Sequence, residues 1–392
     1  MISLARYRVL LARADMRQLL AASFIGRLPI GLTGLAVLLL VQTTSGSFAY
    51  AGAATACYVG GLALVAPALG RLIDRIGPRL PLLACGLLFP TAMLALIVAV
   101  VNDAPPSLAL LISASAGASF PPITVCMRTY FRQHLAEDAL LASAYSLESV
   151  LIEMIFILGP MLVALFVALA NAGWAVGFSA LCGFLGTLLF TRSPALRDWR
   201  IERRSGGSLL GPLADRGFAG LIATILCFST AFGLMEVAVT AYATEKADAA
   251  LAGVLLGLMS AGSAFGGLAY GSRHWHAPLP RQFSVALALM GAGLATLAID
   301  WGVWAFAALS VLAGLVMAPA LIIQSMLVAR TARPEHATEA FTWATSALLS
   351  GVGLGLAAGG AMLESLAWSA ALGAAGAAAL AAAGGALLLR KG

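Results

Sequence analysis

Charge is what this chain has least of. Asp, Glu, Lys and Arg together make up 10% of its 392 residues, against about a quarter in an ordinary soluble domain. Only two of the 23 basic residues are lysine, Lys246 and Lys391, and the chain has only two asparagines, Asn102 and Asn171. No Gly-x4-Gly-Lys-Ser/Thr loop occurs, which argues against ATP-driven pumping by this chain. The five cysteines (Cys57, Cys85, Cys126, Cys182, Cys227) lie in apolar runs without a CxxC pair and read as small core residues. The four histidines, His134, His274, His276 and His336, fall in expected loops, so neither a histidine proton relay nor a metal site is predicted. No nucleophile–base constellation suggests an enzyme, and no cofactor is called for.

What is there is apolar. Hydrophobic residues make up 61% of the chain. A hydrocarbon core ~30 Å thick takes about 20 helical residues per crossing. Twelve apolar segments are expected, at 18–43, 47–70, 80–101, 107–127, 139–169, 173–191, 217–244, 249–271, 282–300, 302–329, 338–363 and 366–389. Runs of this length exclude a strand barrel, whose crossings are about 10 residues of alternating character. The fold class is therefore an all-α membrane protein.

The basic residues sort by side. With the N-terminus inside, 21 of 23 lie in expected cytoplasmic segments, Arg128 and Arg132 among them, leaving Lys246 outside and Arg27 within the first segment. Positive charge on one side is a topology signal, so the net charge of +6 calls for no nucleic-acid partner. Both termini are expected in the cytoplasm.

The stretch RSPALRDWRIERRSGGSLLGPLADR at 192–216 is the longest hydrophilic one. It divides the chain into an N-terminal six-helix bundle (1–192), a central loop (193–216) and a C-terminal bundle (217–392). A half-chain repeat is visible. Ala116-Gly117 with Pro122 matches Ala313-Gly314 with Pro319, and the segment from Ala144 can be laid on that from Ala344.

The loop after the second segment reads Gly70-Arg71-Leu72-Ile73-Asp74-Arg75-Ile76-Gly77-Pro78-Arg79. Physically, Gly70 and Gly77 allow close packing and a tight turn, and Asp74 can pair with Arg75, Arg79 or the end of a neighbouring helix. The G-x-L-x-D-R-x-G-x-R pattern resembles the signature of the major facilitator superfamily. The resemblance implies two pseudo-symmetric six-helix bundles with a substrate cavity between them that opens alternately to each side. Gly70, Asp74, Arg75, Gly77 and Arg79 would then form a conformational gate. The loop after segment eight keeps Gly267 and Arg273 but has Gly271 where the acid would align, so latching is expected to be asymmetric.

Ionisable groups inside a membrane are costly and mark mechanism. Arg27 is expected near the midplane of segment one, Glu148 and Glu153 in segment five, and Glu236 late in segment seven. Five helical residues set Glu148 and Glu153 roughly 140° apart. The family fold puts segments one and five side by side, so Arg27 is expected to pair with Glu148, leaving Glu153 as proton carrier. Arg27, Glu153, Glu236, Gln324, Phe24, Phe120, Tyr145 and Phe232 are the expected cavity residues, the aromatics having helix packing as their alternative. Gly159-Pro160 resembles the glycine-proline bend of the family's antiporters, although Met161-Leu162-Val163 replaces the glycines that should follow. Drug exporters of the family place an arginine where this chain has Ser113. The scarcity of amides disfavours a sugar site. These residues predict a bacterial inner-membrane, proton-coupled exporter of small amphiphilic molecules, working as a monomer in the lipid bilayer on the proton gradient. Uptake of a small metabolite or organic anion is the alternative.

Overall fold

The computed structural model describes residues 5–135, 137–193, 196, 199, 201, 211–246, 249–363 and 365–389. Most of the central loop, the residues Arg390 and Lys391 and the side chain of Arg6 therefore lie outside the described residues. A short helix α1 (Ala5–Ala12) precedes α2 (Ala14–Ser45), α3 (Phe48–Ile76), α4 (Arg79–Val101), α5 (Pro106–Ala118), α6 (Ile123–His134), α7 (Asp138–Leu169) and α8 (Ala172–Arg192). The second half contains α9 (Arg216–Glu245), α10 (Ala249–Gly271), α11 (Leu279–Leu297), α12 (Val303–Gly314), α13 (Met317–Thr331), α14 (Ala337–Leu363) and α15 (Trp368–Leu388).

Eleven helical stretches of the described residues are long and apolar enough to cross a membrane. The expected ninth crossing, α11, has 19 residues and carries the polar pair Arg281-Gln282 in its first turn, which lowers its hydropathy. It packs against α15 and α13 within the bundle. Backbone donors and acceptors in hydrocarbon must be satisfied within each segment, so long apolar runs become helices.

Segments four and ten differ from expectation, because each consists of two helices. Residues 119–122, containing Pro121 and Pro122, separate α5 from α6, and Leu315 and Val316 separate α12 from α13. Proline supplies no N–H, so a break beside it strands fewer donors. α6 then continues seven residues past the expected end at 127, which takes Arg128, Arg132 and His134 out of the loop expected for them.

Helices of each half pack mainly on one another: α2 on α8, α7 and α3, α3 on α5, and α4 on α8 in the first half; α9 on α14 and α15, α11 on α15, and α10 on α12 in the second. Two glycines, one in each half, make like contacts. Gly117 meets the Tyr58 carbonyl of α3, and Gly314 meets the Met259 carbonyl of α10. The halves meet along two seams, α3 against α14 and α7 against α10.

Candidate functional site

The seams close at the end of the bundle that carries Arg71, Arg75, Arg79, Arg132 and Arg330. At the first seam Asp74 caps α14: the Thr338 N–H donates to Oδ1 at 2.9 Å and the Glu339 N–H to Oδ2 at 2.8 Å. A carboxylate at a helix N-terminus meets unpaired N–H groups and the positive end of the dipole. Arg71 donates from Nη2 to Glu339 Oε1 at 2.7 Å and from Nε at 3.1 Å. Gly70 makes the contact possible, because a Cβ there would stand 2.5 Å from Thr342 Oγ1 and 3.0 Å from Glu339 Cα. Gly77 ends α3 with φ at 83°. Of the expected gate residues, Arg75 and Arg79 are exposed and take no part in this cap. Arg71 and Glu339 supply the ion pair instead. Glu339 is fully buried, at the head of a segment read as apolar.

The second seam uses hydroxyls. Ser143 donates to the Gly271 carbonyl and Ser146 to the Gly267 carbonyl, each at 2.7 Å. Tyr7 of α1 reaches the same place, donating to the Leu268 carbonyl at 3.0 Å with its oxygen 2.9 Å from Ser146 Oγ. Thus Gly271, aligned with Asp74 in the repeat, offers its backbone where Asp74 offers a carboxylate. Arg132 donates to the Ala332 carbonyl and Arg330 pairs with Asp138, both across the halves.

Deeper in, Arg27 Nη2 lies 3.1 Å from Glu148 Oε1. A third member, Arg128, joins them, although it was expected in a loop. Arg128 Nε approaches Oε1 at 2.9 Å and Oε2 at 3.0 Å, so Glu148 is shared by two guanidiniums and Arg27 is not the sole deep cation. The helical spacing of Arg128 from Glu148 gave no hint of this. The signal would have been the extension of α6 beyond the apolar run. Arg27 also donates to Ser23 at 3.2 Å, while its Nε is buried without an acceptor. Tyr145 is buried over this cluster, its hydroxyl 3.3 Å from the Arg128 carbonyl and its ring against Phe131 and Phe341.

Glu153, on another face of α7, accepts from Ser263 of α10 at 2.7 Å. It joins the halves farther along α7 than the Ser143 and Ser146 bonds do. Glu236 is exposed on α9. Gln324 is buried in α13 with Oε1 unpartnered. Of the expected cavity aromatics, Phe120 is buried edge-on against Phe89, their centroids 5.4 Å apart, which makes it packing within the first half. Phe24 packs near Leu28, Ile155 and Cys182, and Phe232 lies edge-on to Phe228. α7 runs unbroken through Pro160, and Gly159 serves the close approach of α7 to the Gly31 backbone of α2. Ser113, where family exporters carry arginine, donates to the Ala54 carbonyl of α3 at 2.7 Å. His134 stacks on Tyr130, and His336 is buried 3.5 Å from Glu339. All five cysteines are free, and no group of three metal-binding side chains occurs among the described residues.

The sequence matches the Major Facilitator Superfamily over residues 19–299. No curated protein matches it significantly. In structure it is similar to a bacterial homologue of the iron transporter ferroportin in an outward-facing state, with TM-score 0.80, 16% identity, and 96% of this chain and 99% of that one covered. A human organic anion transporter (TETRAN) gives TM-score 0.69 at 18% identity, covering 96% and 99% of the two chains. The Escherichia coli fucose:proton symporter gives 0.73 at 13% identity, covering 97% and 100%. At such identities the likeness is one of fold.

Proposed function

Because this chain belongs to the major facilitator superfamily, and is thus a membrane-embedded secondary transporter and not an enzyme, we propose that it is a proton-coupled exporter of small amphiphilic organic molecules. It works as a monomer in the bacterial inner membrane, driven by the proton gradient without a cofactor, with both termini and the arginine-bearing end in the cytoplasm. Apart from Arg128, which lies deeper, the basic residues that the sequence puts on one side, 20 of 23, support that orientation.

The observation that carries the reading is the bond between Glu153 and Ser263. Glu148 has both oxygens on guanidiniums, whereas Glu153 is held by a neutral hydroxyl of the opposite half. When the α7–α10 seam changes, Glu153 changes surroundings, and a carboxylate so placed can take up a proton in one state and release it in the other. With the seams joined at the arginine-bearing end, the protein is closed to the cytoplasm. Reopening there admits cargo.

The test is growth of an efflux-deficient bacterial strain carrying wild type or Glu153→Gln across a panel of toxic compounds. Glutamine keeps a hydrogen-bond partner for Ser263 and carries no proton. Protection by wild type alone supports the reading. Equal protection by both refutes the role of Glu153, and heightened sensitivity with wild type marks uptake.

A further inference from the structure

Two guanidiniums and one carboxylate leave a surplus positive charge in the interior of the first half. Arg27 and Glu148 are both buried, Arg128 is 17% exposed at its side chain, and Arg27 Nε faces no acceptor. Asp74, which also serves this end, gives both oxygens to the amides of α14. An unmatched cation in apolar surroundings is unfavourable and draws an anion when one has access. Guanidinium is suited to that partner, since its planar fork matches carboxylate and sulfonate oxygens.

The neighbours of this cluster are held by the other half. Thr129, next to Arg128, donates to Thr338 Oγ1 at 3.3 Å, and Thr338 is one of the residues capped by Asp74. Tyr145, whose hydroxyl touches the Arg128 backbone, packs on Phe341 of α14, with ring centroids 6.4 Å apart. Parting the α3–α14 seam takes Thr338 from Thr129 and Phe341 from Tyr145, the two neighbours of Arg128.

We propose that Arg128 and Arg27, around Glu148, form the head-group site for an organic anion with an apolar body, and that this cargo is loaded from the arginine-bearing end. The inference rests on the transporter reading above. It assigns to Arg128 the direct contact with cargo and to Arg27 the charge behind it.

The probes are octanoate, octanol and octylammonium, which share a chain and differ in head group. Binding is measured by calorimetry on the full chain in nanodiscs of neutral lipid. Octanoate is expected to bind roughly tenfold more tightly than either of the others. Arg128→Gln abolishes that preference, and Arg128→Lys keeps part of it, having the charge without the fork. Asp74→Asn, which loosens the α3–α14 seam, strengthens octanoate binding because more of the protein is in the accessible state. Equal binding of the three probes, no binding of octanoate, or a preference that survives Arg128→Gln overturns the proposal. If Arg128→Gln does not fold, undiminished preference in Arg128→Lys together with unchanged affinity in Asp74→Asn overturns it equally. Transport without pH dependence, with head-group preference intact, would strike the Glu153 reading alone. Lost preference with pH dependence intact would strike this one alone.

Discussion

Asp74 and Thr338 stand 264 residues apart in the chain and on opposite halves of the protein, yet the Thr338 amide donates to the Asp74 carboxylate at 2.9 Å. One side chain from the first half thus completes a helix of the second. The closed end is therefore also the end at which α14 is capped, and the two properties are lost together.

Asp74→Asn removes the charge from the cap while keeping one acceptor. The expected loss is about 1–2 kcal/mol from the closed state, a shift of roughly 5- to 30-fold in its population. Labelling of an introduced cysteine at the arginine-bearing end should accelerate correspondingly. An unchanged rate would show that the cap does not hold the gate.

Gly70→Ala attacks the same contact by volume. Its Cβ meets Thr342 Oγ1 at 2.5 Å and the Glu339 backbone at 3.0 Å, and overpacking of this kind costs about 1–3 kcal/mol. Labelling should again rise. Adding Thr342→Ala should recover only part of the effect, because the Glu339 backbone remains.

Glu148→Gln leaves two guanidiniums with no counter-charge. Thermal unfolding in detergent should show a loss of about 3–5 kcal/mol, the range for breaking a buried ion pair. Adding Arg128→Met, which takes away one of the two unmatched cations, should restore part of that stability, since Arg27 stays unpaired. Additive losses would mean that Arg128 and Glu148 act independently.

Phe120→Ala separates packing from cargo contact. The ring is 7% exposed and edge-on to Phe89, so its removal should cost about 3–5 kcal/mol of stability. Transport selectivity in the folded fraction should match wild type. Altered selectivity would place the ring at the cavity after all.

Tyr7→Phe keeps the ring of α1 and removes the hydroxyl bonded to Leu268. Ser146 retains its bond to Gly267, so the expected loss is about 1 kcal/mol at the second seam, smaller than that of Asp74→Asn. Labelling rates of the two variants, compared at the same cysteine, would rank the seams.

The helices and the family were legible in the sequence because apolar length and the 70–79 motif are local signals. The partners of that motif were not. Glu339 begins an apolar segment 265 residues beyond Asp74, and no periodicity joins positions so distant. Arg128 was misplaced because hydropathy falls at 127 while the helix continues on tertiary contacts to His134. Arg27 and Glu148, by contrast, stood out as charges within apolar runs, and the angular spacing separates Glu148 from Glu153 as the structure has them. Aromatic residues carried no such information, since a phenylalanine in a bundle looks the same whether it packs or lines a cavity.

The break before α6 divides the fourth crossing into two separately packed arms. Residues 119–122 separate its two arms: α5 packs on α3, and the second arm, α6, is twelve residues long and packs on α14, α2 and α7. That arm carries Thr129, which touches the opposite half, and beside it Arg128, which grips Glu148. A shift of Thr129 is therefore a shift of the residue beside Arg128, so the contact between the halves and the charged cluster share one turn of backbone.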